Sequence, residues 1–191
     1  MEDFIDPEWV DAVSVSYNKT VDDAAARIVK KAEELVYNYG HQWRADIAGK
    51  TAILLQPGEG YEWHFDNLDY AKQVLTTARG KRFWTHIIYL TYGKPLEIGN
   101  WNPDGERVQQ TDFSAPEPNK VLARIHPKPG KSVIFPSFMV HRIQPLVDNR
   151  RWAFVEFVES ADYKDKSKRD LKLIFNRYFD EHTRSKLLPS R

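Results

Sequence analysis

Cysteine is absent from the 191-residue chain, which excludes disulfide staples and thiolate zinc sites. An excess of charge of one sign is missing too. Lys and Arg number 28 against 27 Asp and Glu, a net charge of +1 with histidine neutral, so a broad electrostatic interface with nucleic acid is not expected. No apolar run approaches the length of a membrane span. The acidic start Met1-Glu2-Asp3-Phe4-Ile5-Asp6-Pro7 lacks the charged-then-apolar pattern of a signal peptide. These absences lead to the expectation of a soluble, cytoplasmic protein. The length fits one domain, 1–191, long enough to bury most of a core without staples.

Aromatic residues make up 13% of the chain, with six Trp, and their plainest use is a sheet core, because rings suit half-buried pleated surfaces. Within this background stands Glu62-Trp63-His64-Phe65-Asp66-Asn67. On a strand, His64 and Asp66 point to one face and Trp63, Phe65 and Asn67 to the other. His141, following the apolar run Ser132-Val133-Ile134-Phe135, is the candidate third member. Two imidazoles and one carboxylate on one face of an octahedron leave three positions open, as in non-haem Fe(II) oxygenases. Arg151 opens the apolar run Trp152-Ala153-Phe154-Val155 ten residues beyond His141. An inward guanidinium at a strand start needs an anion, and a dicarboxylate co-substrate would supply it. Arg150 is the alternative, one register away on the opposite face.

Together these motifs resemble the Fe(II)/2-oxoglutarate-dependent dioxygenases of the prolyl 4-hydroxylase-like family. The matches are Pro57-Gly58-Glu59-Gly60-Tyr61, His64-Phe65-Asp66-Asn67, Thr85-His86-Ile87-Ile88-Tyr89-Leu90, Gly93-Lys94-Pro95-Leu96-Glu97-Ile98, the run from Lys128 to Ser137, and His141 through Arg151. The resemblance covers about Ile53 to Val158, more than half of the chain. It implies a mostly β fold with flanking helices, a double-stranded β-helix (jelly-roll, cupin-like) core over about 50–158. It also implies Fe(II) held by His64, Asp66 and His141, and 2-oxoglutarate held by Arg151 and the Tyr89 hydroxyl. The implied cofactors are Fe(II), 2-oxoglutarate and O2, with ascorbate as an accessory. The implied activity is hydroxylation of an unactivated C–H, coupled to conversion of 2-oxoglutarate to succinate and carbon dioxide. The chain departs from the family where Leu54-Leu55 stand in place of a tyrosine, and where Gly93-Lys94 replace a Gly-Gly pair.

Outside the motifs, alternation at Val13, Val15 and Tyr17 predicts a first strand between Trp9 and Tyr17. Thr20 with Asp23 reads as a capping box. From there Val21, Ala25, Ile28, Ala32, Leu35, Val36 and Tyr39 predict a helix over about 20–40, ending at Gly40. Strands are expected over Lys50–Gln56, Tyr61–Asp66, Arg82–Thr91, Leu96–Ile98, Val121–Ile125, Lys131–Phe135, His141–Val147 and Trp152–Val158. Leu68 to Arg79 is a candidate lid, and Glu106 to Lys120 a long polar loop of functional length. Leu171, Ile174, Phe175 and Tyr178, behind the basic run Lys164 to Arg169, predict a C-terminal helix over about 165–186 that packs on the barrel or on a second subunit. The basic run reads as a solvated helix start.

His86 reads as structural or as a neighbour of the site, and His41, His126 and His182 as surface residues. Trp63, Arg82, Trp84 and Trp101 are candidates for the substrate mouth, with packing the stronger reading for each. The expected partner is a peptide, protein or amino-acid substrate, prolyl by resemblance. The competing readings are a nucleobase or small-molecule oxygenase on the same fold, and a non-catalytic metal-binding barrel.

Overall fold

In a computed structural model the chain is described over residues 2–67, 82–106, 113–159 and 165–179. Two antiparallel sheets face each other. The smaller holds β1 (Phe4–Ile5), β9 (Val121–Ile125), β8 (Leu96–Gly99), β11 (His141–Ile143) and β6 (Tyr61–His64), in that order. The larger runs β2 (Ser14–Tyr17), β10 (Lys131–Pro136), β7 (Arg82–Tyr89), β12 (Arg151–Glu159), β5 (Lys50–Leu55), β4 (Gln42–Ile47) and β3 (Tyr37–Tyr39). Apart from the sequential pairs β3–β4, β4–β5 and β8–β9, neighbours in each sheet are not consecutive in sequence, and the pair of sheets forms a double-stranded β-helix.

The cause is visible in the alternation. Along β7, Phe83, Thr85, Ile87 and Tyr89 are buried while the residues between them are only partly so, and this buried row faces the interior shared by the two sheets. Ile87 and Val133, opposite each other across β7 and β10, join Phe135, Leu96, Ile98, Leu122, Ile125 and Ala153 in the central core. Fully burying each large apolar side chain contributes about 1.5–3 kcal/mol.

The outer face of the larger sheet is covered by α1 (Lys19–Leu35), which lays Ala25 and Ala32 against Ala45, Ala52, Leu54, Trp152 and Phe154. Alanines on both surfaces let the helix approach the sheet closely. The cap of α1 is Asn18, whose Oδ1 accepts from the Val21 amide at 3.2 Å, so the Thr20 capping box is not used. Asp23 instead pairs with Lys19 at 2.7 Å.

The helix ends at Leu35, not Gly40, because Tyr37–Tyr39 pair with Gln42–Arg44. Gly40, at φ 65°, makes the turn between β3 and β4. The three-and-four spacing through Val36 and Tyr39 is therefore coincidental, and pairing with a strand overrides it. β4 itself is not announced by the sequence pattern. The first predicted strand is likewise shorter, since Pro7–Trp9 form a 3-10 turn capped by the Asp6 carboxylate and only Ser14–Tyr17 pair.

The C-terminal helix α2 (Asp165–Tyr178) packs on the barrel, with Leu171, Ile174, Phe175, Tyr178 and the following Phe179 all in the central core. Residues 180–186, expected to extend it, lie outside the described residues, as do the predicted lid and residues 107–112 of the long loop. No helix among the described residues is long and apolar enough to cross a membrane.

Candidate metal centre and co-substrate pocket

β6 and β11 are neighbours, and His64 lies directly opposite His141. Their imidazole centroids are 4.2 Å apart. Both rings are oriented through Nδ1, which lies 2.7 Å from the Glu62 carbonyl in His64 and 2.9 Å from the Met139 carbonyl in His141. With Nδ1–H donating to a carbonyl, Nε2 carries the free lone pair in each ring. Both Nε2 atoms turn toward Asp66, at 3.7 Å from Oδ1 for His64 and 3.2 Å from Oδ2 for His141. One ligand atom from each of the three residues falls within 4.8 Å of the others, and this is the group able to hold a metal among the described residues.

The expectation that His64 and Asp66 share one strand is corrected in detail. β6 ends at His64, and Asp66 lies beyond it in a turn where the amides of Asp66 and Asn67 both donate to the Ser137 carbonyl, at 3.0 and 2.9 Å. The carboxylate is then held by the Thr85 hydroxyl, which donates to Oδ2 at 2.7 Å and lies 2.9 Å from the Ser137 hydroxyl. A dry, paired setting tunes the charges. Burial, helped by His141, lowers the His64 pKa to about 4, so His64 is a neutral donor at pH 7. Burial raises that of Asp66, but His141, His64 and Thr85 outweigh it, and the carboxyl is held well below its usual range as an anion.

Arg151 begins β12 and faces the interior. It is 4% exposed, and neither its Nε nor its Nη2 has a hydrogen-bond partner; nor does the buried Tyr89 hydroxyl. The guanidinium lies 5.0 Å from the Tyr89 ring centroid. Burial lowers the Arg151 pKa and raises that of Tyr89 to about 12, and each residue partly offsets the shift of the other. Arginine stays cationic in either setting, so a charge and three polar groups are buried without a partner, which a bound anion would correct.

Arg150, the alternative, is more than half exposed and points to Glu33 on α1 at 3.6 Å. Gly93 gives the Arg151 stem its room: a Cβ there would sit 3.0 Å from Arg151 Cδ. At the Leu54-Leu55 departure, the buried Leu55 stands opposite Arg151 on β5, an apolar neighbour in place of a hydroxyl.

Tyr61 belongs to this site although the sequence reading does not single it out. Three residues from Tyr61 to His64 stand against two from Ile143 to His141, a bulge, so Tyr61 and His64 turn to the same side despite their odd spacing. Their rings are 5.7 Å apart, and burial raises the Tyr61 pKa to about 12, against the pull of Arg151. Strict alternation hides such a residue. Thr85 was visible only as a polar residue on the buried face of a strand.

The four candidates for the mouth make packing contacts, the stronger of the two readings of them. Trp63 is buried under Arg142 at 4.5 Å, Arg82 covers the Phe157 ring at 3.6 Å, and Trp101 stacks on Phe65 and Phe179 at 5.4 and 5.1 Å. Trp84 packs against the central core. His86 faces outward and meets Glu156 at 3.2 Å. His41 is exposed, His126 is half-buried near Asp3 at 3.8 Å rather than on the surface, and His182 lies outside the described residues.

Half an octahedron from protein and half left open is the donor set of mononuclear non-haem iron oxygenases, and the orphaned guanidinium fits a dicarboxylate beside it. A family model described as the 2OG-Fe(II) oxygenase superfamily matches residues 50–159, more than half of the 191 residues, and the chain belongs to this superfamily of 2-oxoglutarate-dependent dioxygenases, which use Fe(II) and 2-oxoglutarate. Among curated proteins no sequence matches. The fold is similar to that of a Pseudomonas putida prolyl-4-hydroxylase, at 13% identity and TM-score 0.52 over 80% of this chain and 95% of that one. It is similar also to a Trichoplax adhaerens prolyl hydroxylase solved with a hypoxia inducible factor oxygen degradation domain peptide, at 12% identity and TM-score 0.51 over 87% and 89%.

Proposed function

We propose that His64, Asp66 and His141 bind Fe(II), that Arg151 and the Tyr89 hydroxyl bind the distal carboxylate of 2-oxoglutarate, and that the enzyme hydroxylates a prolyl or other amino-acid residue. The observation that carries the site assignment is a buried guanidinium with Nε and Nη2 unpartnered in the same interior as two imidazoles converging on one carboxylate. When bound, Fe(II) and 2-oxoglutarate supply oxidation of a C–H by O2, coupled to decarboxylation of 2-oxoglutarate to succinate and carbon dioxide.

The chain's own work is to hold and shield. The Glu62 and Met139 carbonyls keep Nε2 of each imidazole on the metal side. Thr85 fixes the carboxylate rotamer so that Asp66 offers an oxygen without rotating away. Arg151 and Tyr89 offer fork and hydroxyl to one carboxylate, which orients the co-substrate's other end toward the triad. Leu55, Phe135 and Tyr61 exclude water around them, strengthening each polar contact. The amino-acyl substrate rests on the fold shared with two prolyl hydroxylases, one of them holding a peptide.

The test is succinate formation from 2-oxoglutarate with Fe(II), alongside mass analysis of proline-containing peptides, free amino acids and nucleobases for a gain of one oxygen. His64→Ala and His141→Ala should each abolish metal-dependent turnover; unchanged turnover in both would sink the ligand assignment. Oxygen gained by a nucleobase and by no peptide or amino acid would overturn the substrate class alone.

A further inference from the structure

The C-terminal helix lies outside the segment that matches the superfamily, residues 50–159, yet it reaches the candidate metal centre through one hydroxyl. β8 and β11 pair as His141 with Ile98, and the next rung should join Val140 to Gly99. Half of that rung forms, with the Gly99 amide donating to the Val140 carbonyl at 2.9 Å. The paired residues of β8 and β11 end at Ile98 and His141, and the other half of the rung passes through Tyr178. The Val140 amide donates to the Tyr178 hydroxyl at 3.0 Å, and that hydroxyl donates to the Gly99 carbonyl at 2.9 Å. A phenol, with one donor and acceptor capacity, is suited to bridge an amide and a carbonyl that have moved apart.

The amide that Tyr178 holds has a second role. The Val140 nitrogen and the Met139 carbonyl belong to one peptide unit, which is planar. The Met139 carbonyl is the group that lies 2.9 Å from His141 Nδ1 and orients that imidazole. Tyr178 therefore pins one end of a rigid plate whose other end holds the ring.

The phenol is itself fixed. Its ring meets Trp9 edge-on at 5.7 Å and lies 5.9 Å from Phe138, while the neighbouring Arg177 covers Trp9 at 4.0 Å and bonds Asp11 at 2.8 Å. Burial raises the Tyr178 pKa far above neutrality, so its donor proton is retained.

We propose that Tyr178 is a positioning residue for the metal centre, through which helix α2 sets the Met139–Val140 peptide plane and hence the direction of His141 Nε2. The proposal rests on His141 being a metal ligand. Conversion of Tyr178 to Phe keeps the ring and its packing and removes only the bridging oxygen. The control Ile174→Val trims a buried side chain of the same helix that has no hydrogen-bonding group to offer this rung.

The experiment is anaerobic titration of each folded, metal-free protein with Co(II) alone, recording affinity and the visible ligand-field spectrum, with the melting temperature alongside. Tyr178→Phe is expected to weaken Co(II) binding about 10-fold and shift the spectrum, in the range of an outer contact to a ligating histidine. Ile174→Val should lower the melting temperature and leave both Co(II) readouts as in the parent. His141→Ala should nearly abolish binding. Parental affinity and spectrum in Tyr178→Phe, with binding lost in His141→Ala, would overturn the positioning role and leave the ligand intact. Parental binding in His141→Ala would overturn the ligand assignment and this inference with it. Equal weakening in Tyr178→Phe and Ile174→Val would reduce Tyr178 to a packing residue.

Discussion

Replacing Arg151 by methionine separates a residue kept for binding from one kept for stability. In the metal-free, co-substrate-free protein the guanidinium is buried with Nε and Nη2 unpartnered, and each such donor costs about 1–3 kcal/mol. Methionine occupies most of the same volume without polar groups. What is lost is the contact with the Tyr89 ring at 5.0 Å, worth about 1 kcal/mol, and some packing near Gly93. The balance favours the variant by about 1–3 kcal/mol. At roughly 2–4 °C per kcal/mol for a chain of this size, the metal-free protein should melt about 2–12 °C higher.

The co-substrate sees the opposite change. Removing one partner of a buried, hydrogen-bonded charge pair costs about 2–5 kcal/mol, so 2-oxoglutarate affinity should fall about 30-fold or more. The assay is circular-dichroism melting of the metal-free protein, together with anaerobic titration of the Fe(II) form with 2-oxoglutarate, followed by the charge-transfer band of the chelate. A lower melting temperature with unchanged 2-oxoglutarate affinity would refute the reasoning, for it would make Arg151 a structural residue already satisfied in the free protein.

Two further substitutions probe the supports of the site. Thr85→Val removes the hydroxyl that donates to Asp66 at 2.7 Å at nearly constant shape, and should weaken Fe(II) binding about 10-fold with loss of about 1.5–3 kcal/mol of stability; calorimetric titration and thermal melting check the two numbers. Glu97→Gln breaks the pair of ion contacts that Glu97 makes to Arg124 at 2.9 Å and to Arg142 at 2.7 Å across the outer face of the smaller sheet. Burial raises the Glu97 pKa, but the bonds from Arg142 and Arg124 lower it by more. The resulting stability is present above the unfolded-state value of about 4.3 and is lost as pH falls through the lower folded value. The variant should therefore be less stable than the parent at pH 7, by about 1–2 kcal/mol, and the difference should shrink below pH 4 in urea unfolding. A constant difference across that range would reject the ionic origin.

The parts of this protein legible in its sequence are those where local pattern and tertiary structure agree. The row Phe83, Thr85, Ile87, Tyr89 is a period-two signal, and it becomes the buried face of β7. The histidines and Asp66 were readable because their residue types are costly to bury without a use. Illegible were the places where the chain breaks its own period. The bulge in β6 turns Tyr61 toward the interior against the count, the β8–β11 pairing ends at Ile98 and His141 and leaves a half-rung that Tyr178 fills, and Tyr37–Tyr39 continue a helical spacing while pairing as a strand. For Tyr61 and Tyr178 a partner far along the chain decides the conformation and no window of sequence contains both, whereas Tyr37–Tyr39 pair with the nearby Gln42–Arg44 and are hidden only by the helical spacing they continue.

The two sheets divide the labour of the proposed site. His64 and His141 stand on β6 and β11 of the smaller sheet, while Arg151, Tyr89 and Thr85 stand on β12 and β7 of the larger one. The separation of the triad from the guanidinium is thus governed by the packing of one sheet on the other rather than by any loop. Beside the triad, Thr85 of the larger sheet donates to Asp66, just beyond β6, and lies 2.9 Å from the Ser137 hydroxyl. A core substitution that slides the sheets should therefore change 2-oxoglutarate affinity before it changes metal affinity, since the metal's two histidines move together and the guanidinium does not move with them.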